Sequence, residues 1–401
     1  MITIAKVKDA ENVLKNIVRK TDLIYAQNII ENSNIYLKVE NLQVTGSFKV
    51  RGASYKISNL SDEDKSKGVI ACSAGNHAQG VALASQKNNI KATIFIPATA
   101  PISKVEATKK FGAEIKLIDG VYDDAYKAAV EFQKETNGVF VHPFDDVDVI
   151  AGQGTIGLEI LEQLPDVEAV VVPIGGGGLI AGVAFAIKQL KPSCKVYGVQ
   201  SQGAGSMYKS FKDKEIIELP SVNTFADGTA VKRPGDLTFD LCQKYVDDII
   251  TVSDDEIASA ILALMEKQKL VTEGAGALSV AAAMYNKLPI EGKKTVCILS
   301  GGNVDVNIIS RVISRGLLNS GRLSHLTIEL LDKPGQLREV STIIAEYGAN
   351  VIRVRHTQGG SNTDINDCFL KISMETRNHE HFKQIQDALT KKGYKITSNI
   401  Q

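Results

Sequence analysis

The chain has 401 residues, 44% hydrophobic and 23% charged, which is the composition of a globular protein with room for more than one domain. Its 46 basic and 46 acidic residues cancel, so no global field draws it to nucleic acid or to an anionic membrane, and small neutral or zwitterionic ligands fit better. Five scattered cysteines without a CxxC argue against a disulfide framework or zinc knuckle, and the lack of a signal-like or roughly 18-residue apolar run points to the cytoplasm.

In chain order, short β-branched runs alternate with longer segments of helical period, the pattern of a parallel sheet covered by helices. "TGSFKVRG" (45–52) comes first and sets Lys49 between Phe48 and Val50. Strands are expected at "KGVIACS", "IKATIFIP", "AEIKLID", "GVFVHPF", "EAVVVPI", "CKVYGVQ" and "KKTVCILSGGN", with "LIAGVAFAIKQLKP" as a helix. This α/β body is expected to span 1–318, with 319–322 a linker. Residues 323–401 then read β-α-β-β-α-β, a split βαβ module complete in itself.

Three polar, glycine-rich turns follow strands of the body. "PIGGGGLIAG" opens a helix, so the amides of Gly175, Gly176, Gly177, Gly178 and Leu179 make a phosphate site, or else simply a tight turn. A dinucleotide fits less well: the glycines do not follow GxGxxG, and Gln200 stands where an acidic residue should hold a ribose. "ACSAGNHAQG" supplies Ser73 and Asn76 to grip a carboxylate, or to cap a helix, with His77 as a satisfied histidine. "ILSGGNVD" supplies Ser300 and Gly301. Open parallel sheets place ligands at the carboxyl ends of their strands, so the three turns are expected to converge. A lysine in semi-apolar surroundings beside a phosphate cradle suits a Schiff base with pyridoxal phosphate; the alternative is a solvated lysine at a helix start.

"GSFKVRGA", "SAGNHAQGVA", "GGGGLIAG", "EGAGA" and "SGGN", in this order, resemble the threonine and serine dehydratases of the tryptophan-synthase-β-like (fold type II) class of pyridoxal phosphate enzymes. The tail, with "DKPGQL" and "YGANVIRV", resembles an ACT regulatory domain, and the whole resembles the threonine ammonia-lyases with a single such domain. The resemblance implies two open parallel-sheet subdomains plus a ferredoxin-like module. It implies that Lys49 carries the cofactor, Phe48 lies against its ring, Asn76 bonds the ring hydroxyl, Gly175 to Leu179 hold the phosphate, and Ser300, beside Gly301, faces the pyridine nitrogen. Ser73, Asn76, His77 and Gln79 belong to the loop that grips the substrate carboxylate, and Ser73 is also a catalytic candidate. Glu273 sits near the ring or merely caps a helix.

The implied reaction is α,β-elimination of L-threonine, or of L-serine, to an oxo acid and ammonia; a serine rather than an aspartate at the pyridine nitrogen favours elimination over transamination. Serine racemases of the family carry a second serine where this chain has Ala74, and a divalent cation on acidic residues where it has Gln200 and Ser206. No metal is therefore expected. The resemblance further implies a homodimer or homotetramer. An effector, isoleucine or valine, is expected between two ACT modules at Asp332, Lys333, Pro334, Gly335 and Asn350; otherwise the module serves assembly alone. A non-catalytic amino-acid sensor that retains the cofactor is the alternative from another class.

Overall fold

The computed structural model describes residues 1–30, 33–358 and 366–397. Contacts divide the chain into two units, Met1–Val306 and Asn307–Gln401. The division falls before the boundary expected after residue 318, because the helix Val306–Asn319 groups with the second unit.

The first unit contains β1 (Leu23–Tyr25), β2 (Ile35–Lys38), β3 (Val69–Cys72), β4 (Ala92–Pro97), β5 (Glu114–Ile118), β6 (Val139–Phe140), β7 (Ala169–Pro173), β8 (Lys195–Ser201), β9 (Asp248–Val252) and β10 (Thr295–Ile298). They form two sheets, ordered β1-β2-β10-β7-β8-β9 and β5-β4-β3-β6, parallel throughout except for the antiparallel edge β1. The central strands are buried along their whole length, as parallel strands covered on both faces must be; β3 is Val-Ile-Ala-Cys and β7 is Ala-Val-Val-Val-Pro. Val170, Val172, Ile180, Val183, Val196 and Ile298 anchor the larger core, and Ala71, Val81, Ile94 and Ile96 the smaller.

Strands β1, β2 and β9 are absent from the sequence reading. Two carry or adjoin charges that hide them: β2 ends on the fully buried Lys38, and β9 begins at Asp248. "GVFVHPF" yields only the two residues of β6 before the chain turns away.

Beneath the site runs the helix Val147–Gln163, which crosses the helix Lys49–Ser58 closely enough that a Cβ on Gly152 would lie 2.7 Å from the Arg51 carbonyl. A buried ionic cluster locks this crossing. Arg51 donates to both Glu40 oxygens at 2.8 Å and to the Glu159 oxygens at 2.7 and 3.0 Å, and Lys38 donates to Glu159 at 2.6 Å. All four side chains are buried, so each charge depends on the others for the solvation that water would supply.

The second unit contains β11 (Leu323–Leu331), β12 (Asn350–Gln358), β13 (Asp367–Glu375) and β14 (Lys395–Thr397), with the helices Gln336–Glu346 and His379–Lys391 between them. The order β12-β13-β11-β14 and the antiparallel pairing are those of a ferredoxin-like βαββαβ module. Alternate residues of β11 and β13 (Leu326, Ile328, Leu330; Cys368, Leu370, Ile372, Met374) are buried with Val340, Ile344, Ile385 and Leu389 of the helices.

Candidate active site

Two segments far apart in sequence are stitched together by their backbones. Ser47 bridges Gly301, the Phe48 N–H donates to the Ser300 carbonyl at 3.1 Å, and the Gly302 N–H donates to the Gly46 carbonyl at 2.9 Å. To reach this arrangement the chain turns at Thr45, whose φ of 66° is a strained value for a β-branched residue. Gly46 follows at φ 74°, where a Cβ would lie 2.5 Å from Asn303 Oδ1.

Lys49 then begins a helix, but its side chain does not run into solvent. Its Nζ donates to the Pro143 carbonyl at 2.7 Å and lies 5.3 Å from the centroid of the Phe48 ring. Burial lowers its pKa to about 8, against the opposing pull of the Glu273 carboxylate, so a substantial neutral fraction exists at mildly alkaline pH.

The end of β3 leads through Ser73, Ala74 and Gly75 into the helix Asn76–Lys87. Ser73 Oγ accepts from the Gly75 N–H at 3.1 Å, so it shapes the turn and caps nothing further along. Asn76 is clamped on both sides: its Oδ1 accepts from Asn303 Nδ2 and its Nδ2 donates to Glu273 Oε1, both at 2.7 Å. Glu273 stands at the cap position of the helix Gly274–Met284, and its side chain makes no capping hydrogen bond there. Burial raises its carboxyl to about 7, with the Asn76 hydrogen bond acting against that rise. His77 is buried and bonds the Val141 carbonyl through Nε2 at 2.8 Å; burial first, and Lys49 second, hold its pKa near 3, so it is neutral. Gln79 is buried on the same first turn.

The glycine loop follows β7. Thr238 Oγ1 donates to the Gly176 carbonyl at 2.6 Å, and Gln200 Nε2 reaches the Gly175 carbonyl at 3.5 Å. In a trans peptide the N–H points opposite the carbonyl, so these bonds aim the Gly176 and Gly177 amides away from Thr238 and Gln200. Gly177 needs φ 102°, and a Cβ on Gly176 would meet the Phe144 ring at 2.4 Å. Gln200 thus braces the loop, and its Oε1 also accepts from the Tyr208 N–H at 2.7 Å; Ser206 is occupied by the Val231 carbonyl. Leu179 is buried on the first turn of the helix Gly178–Leu190. Ser300, at the end of β10, is buried with only a long 3.4 Å contact from Oγ to the Ala275 carbonyl, and Gly301 leaves no room for a Cβ beside Glu273 Oε1.

The turn His142–Asp146 is the part that sequence reasoning missed. It offers Pro143 to Lys49 and packs Phe144 on the glycine loop. Asp145 accepts from the Asp236 and Thr238 amides, and Asp146 caps the helix Val147–Gln163. Asn303 was missed as well, although it ends the quoted "SGGN". In the second unit, the exposed turn from Asp332 through Lys333 and Pro334 to Gly335 follows β11, whereas Asn350 opens β12 and bonds Glu375 at 2.8 Å. Leu323 and Asn350 both pair with Glu375, so within one chain Asn350 lies at the opposite end of the sheet from that turn.

A model of the family described as pyridoxal-phosphate dependent enzymes matches residues 14–301, and the chain belongs to that family. Among its relatives, the chain is 50% identical to the L-threonine ammonia-lyase of Thermotoga maritima over 398 residues, 99% of both chains. It is 44% identical over 398 residues to the L-threonine ammonia-lyase of Geobacter sulfurreducens, again covering 99% of both. Among solved structures, maize serine racemase is 38% identical with a TM-score of 0.74, covering 79% of this chain and 98% of that one. The processed form of threonine deaminase isoform 2 from Solanum lycopersicum is 39% identical with a TM-score of 0.75, covering 78% and 88%. The fold is accordingly fold type II, and the cofactor of the family is pyridoxal 5'-phosphate.

The residues present fit that cofactor. Phe144, Thr238 and Met207 pack so closely on the loop that only glycine fits at 176–178, which leaves backbone amides as its binding groups, and the turn that packs Phe144 there also offers Pro143 to Lys49. Thr45 Oγ1 and Ser47 Oγ, flanking the lysine segment, are buried without a hydrogen-bond partner.

Proposed function

We propose that this chain is a threonine ammonia-lyase that converts L-threonine to 2-oxobutanoate and ammonia by α,β-elimination. The observation that carries the reading is Lys49: a buried amine with its pKa lowered to about 8, bonded to the turn after β6, joined through Phe48 to the turn after β10, and close enough to His77 of the helix after β3 to act on its charge. The choice of threonine is supported by the relatives of 50% and 44% identity that span the whole chain.

When bound, pyridoxal phosphate supplies a carbonyl that condenses with an amine and an electron sink that makes the adjacent Cα proton acidic. The chain's residues do the rest. The amides from Gly175 to Leu179 would hold the phosphate, Phe48 would pack against the ring, and Asn76, fixed by Asn303 and Glu273, would bond the ring hydroxyl. Ser300 Oγ would offer a neutral partner to the pyridine nitrogen. Ser73, Gln79 and the unpaired amides of the first helical turn after Gly75 receive the substrate carboxylate, with neutral His77 holding the turn to Val141. Lys49 Nζ, neutral, takes the Cα proton. The β-hydroxyl departs as water, its added proton balancing the one Lys49 took from Cα, and a second water hydrolyses the released enamine to the oxo acid and ammonia. Ala74 presents a methyl where a racemase would need a hydroxyl on the opposite face, which favours elimination over racemisation.

The second unit reads as an ACT module that binds isoleucine or valine between copies in a homodimer or homotetramer. Its edge strand β12 leaves Ile352 and Val354 exposed. A two-fold antiparallel pairing along that edge would set the Asn350 end of one copy beside the Asp332–Gly335 end of the other. The test of the catalytic reading is equimolar 2-oxobutanoate and ammonia from L-threonine by the holoenzyme, abolished in Lys49→Ala. Turnover that survives Lys49→Ala would overturn it.

A further inference from the structure

The second unit contains a cluster of side chains that none of these roles uses together. Asp332 follows β11, His356 lies on β12 and Cys368 on β13. Sheet register brings them to one place: Cys368 pairs with both Leu330 and Gln358, and His356 pairs with Leu370. Leu370 faces the helices and is buried, so His356 opposite it stands on the same side as Cys368. One carboxylate oxygen, one imidazole nitrogen and one thiol sulfur thus lie within 4.8 Å of one another, with His356 Nε2 3.8 Å from Asp332 Oδ1.

We propose that Asp332, His356 and Cys368 form a site for a borderline-soft divalent cation, for which zinc is the best match, with a fourth position open to water. Sulfur, nitrogen and oxygen donors together select zinc over calcium or magnesium, which take oxygen ligands. In a tetrahedral zinc site, bonds of about 2.0–2.3 Å place the donor atoms about 3.3–3.8 Å apart. The observed cluster needs a contraction of up to about 1.5 Å, and two of its three side chains are exposed and able to rotate. Charge also balances, since a carboxylate and a thiolate offset the dication while the imidazole stays neutral. The thiol's present contact, 3.4 Å to the Leu330 carbonyl, is easily exchanged for a metal bond. On binding, the S–H bond breaks, the sulfur–metal bond forms, and the proton goes to solvent.

The competing account is an exposed ion pair beside a buried core thiol. Full-length, pyridoxal phosphate-loaded enzyme, stripped with a chelator, is titrated with Co²⁺ and then Zn²⁺, and difference spectra are recorded against the zinc-loaded form. The expected result is one cobalt per chain, with a near-ultraviolet thiolate-to-cobalt band that zinc removes. Cys368→Ser should lose the band, and His356→Ala, a surface change that leaves the core intact, should weaken binding more than about tenfold. Absence of the band at one equivalent, or a band that persists in both variants, would overturn the assignment.

Discussion

Replacing Glu40 with Gln tests whether the buried ionic cluster holds the helix that carries Lys49. The cluster contains two cations, Lys38 and Arg51, and two anions, Glu40 and Glu159, none of them with meaningful access to water. Glu40→Gln leaves a net positive charge there and turns one of the two acceptors of the 2.8 Å bonds from Arg51 into a donor, a loss of about 3–5 kcal/mol for a broken buried pair. With a urea dependence of about 3 kcal/mol per molar, the midpoint of the first unit should fall by roughly 1–2 M. Arg51→Met alone should cost a similar amount. The double variant restores neutrality through Lys38 and Glu159, so it should be less destabilised than the sum of the two, by about 2–3 kcal/mol. Urea unfolding of the holoenzyme, followed by circular dichroism, measures all three. Additivity within about 0.5 kcal/mol, or single effects below about 1 kcal/mol as for a surface pair, would refute the reasoning. The pH dependence has a definite sign. Burial alone would raise the Glu40 carboxyl, but Arg51, Thr21 and Lys38 together outweigh it and lower the pKa, so this stabilisation is present above the ordinary glutamate pKa and is lost as pH falls through the lowered value.

Capture of pyridoxal phosphate by apoenzyme should speed up through an ionisation near pH 8, and Glu273→Gln should move that ionisation lower, because the carboxylate opposes the fall of the Lys49 pKa; an unshifted profile in stopped-flow absorbance would contradict this. Gly176→Ala should expel the cofactor and be partly rescued by Phe144→Leu, since its clash is with the ring. Gly178→Ala should resist that rescue, because a Cβ there meets the Phe144 backbone at 2.9 Å; equilibrium dialysis of the cofactor distinguishes the two. Asn303→Ala removes hydrogen bonds to Asn76 and to the Thr45 carbonyl, so cofactor affinity should drop by about 0.5–1.5 kcal/mol per bond, roughly 2–10-fold each; unchanged affinity by the same assay would show that Asn76 needs no such clamp.

The site was legible where a motif is contiguous and its backbone does the work. "GSFK", "SAGNH", the four glycines and "SGGN" each sit at a strand end or helix start, and local pattern alone locates such places. What was not legible depends on tertiary register. Pro143 and Phe144 lie in a turn whose sequence reads as the end of a strand, and nothing in "HPFDD" shows that it meets Lys49 and the glycine loop. Arg51, Lys38, Glu40 and Glu159 look like ordinary surface charges until the two helices cross. Asp332, His356 and Cys368 follow no spacing rule, because three strands rather than one loop bring them together. Asn350 and the Asp332–Gly335 turn look like neighbours in a motif, yet the sheet separates them to its two ends.

The central claim is tested most directly by the kcat/KM of the purified holoenzyme for L-threonine and for L-serine, with oxo-acid formation and any D-amino acid measured in the same samples. The account predicts a clear preference for threonine, 2-oxobutanoate as the product, and no racemised substrate. A preference for serine, or D-serine formed in excess of oxo acid, would contradict it.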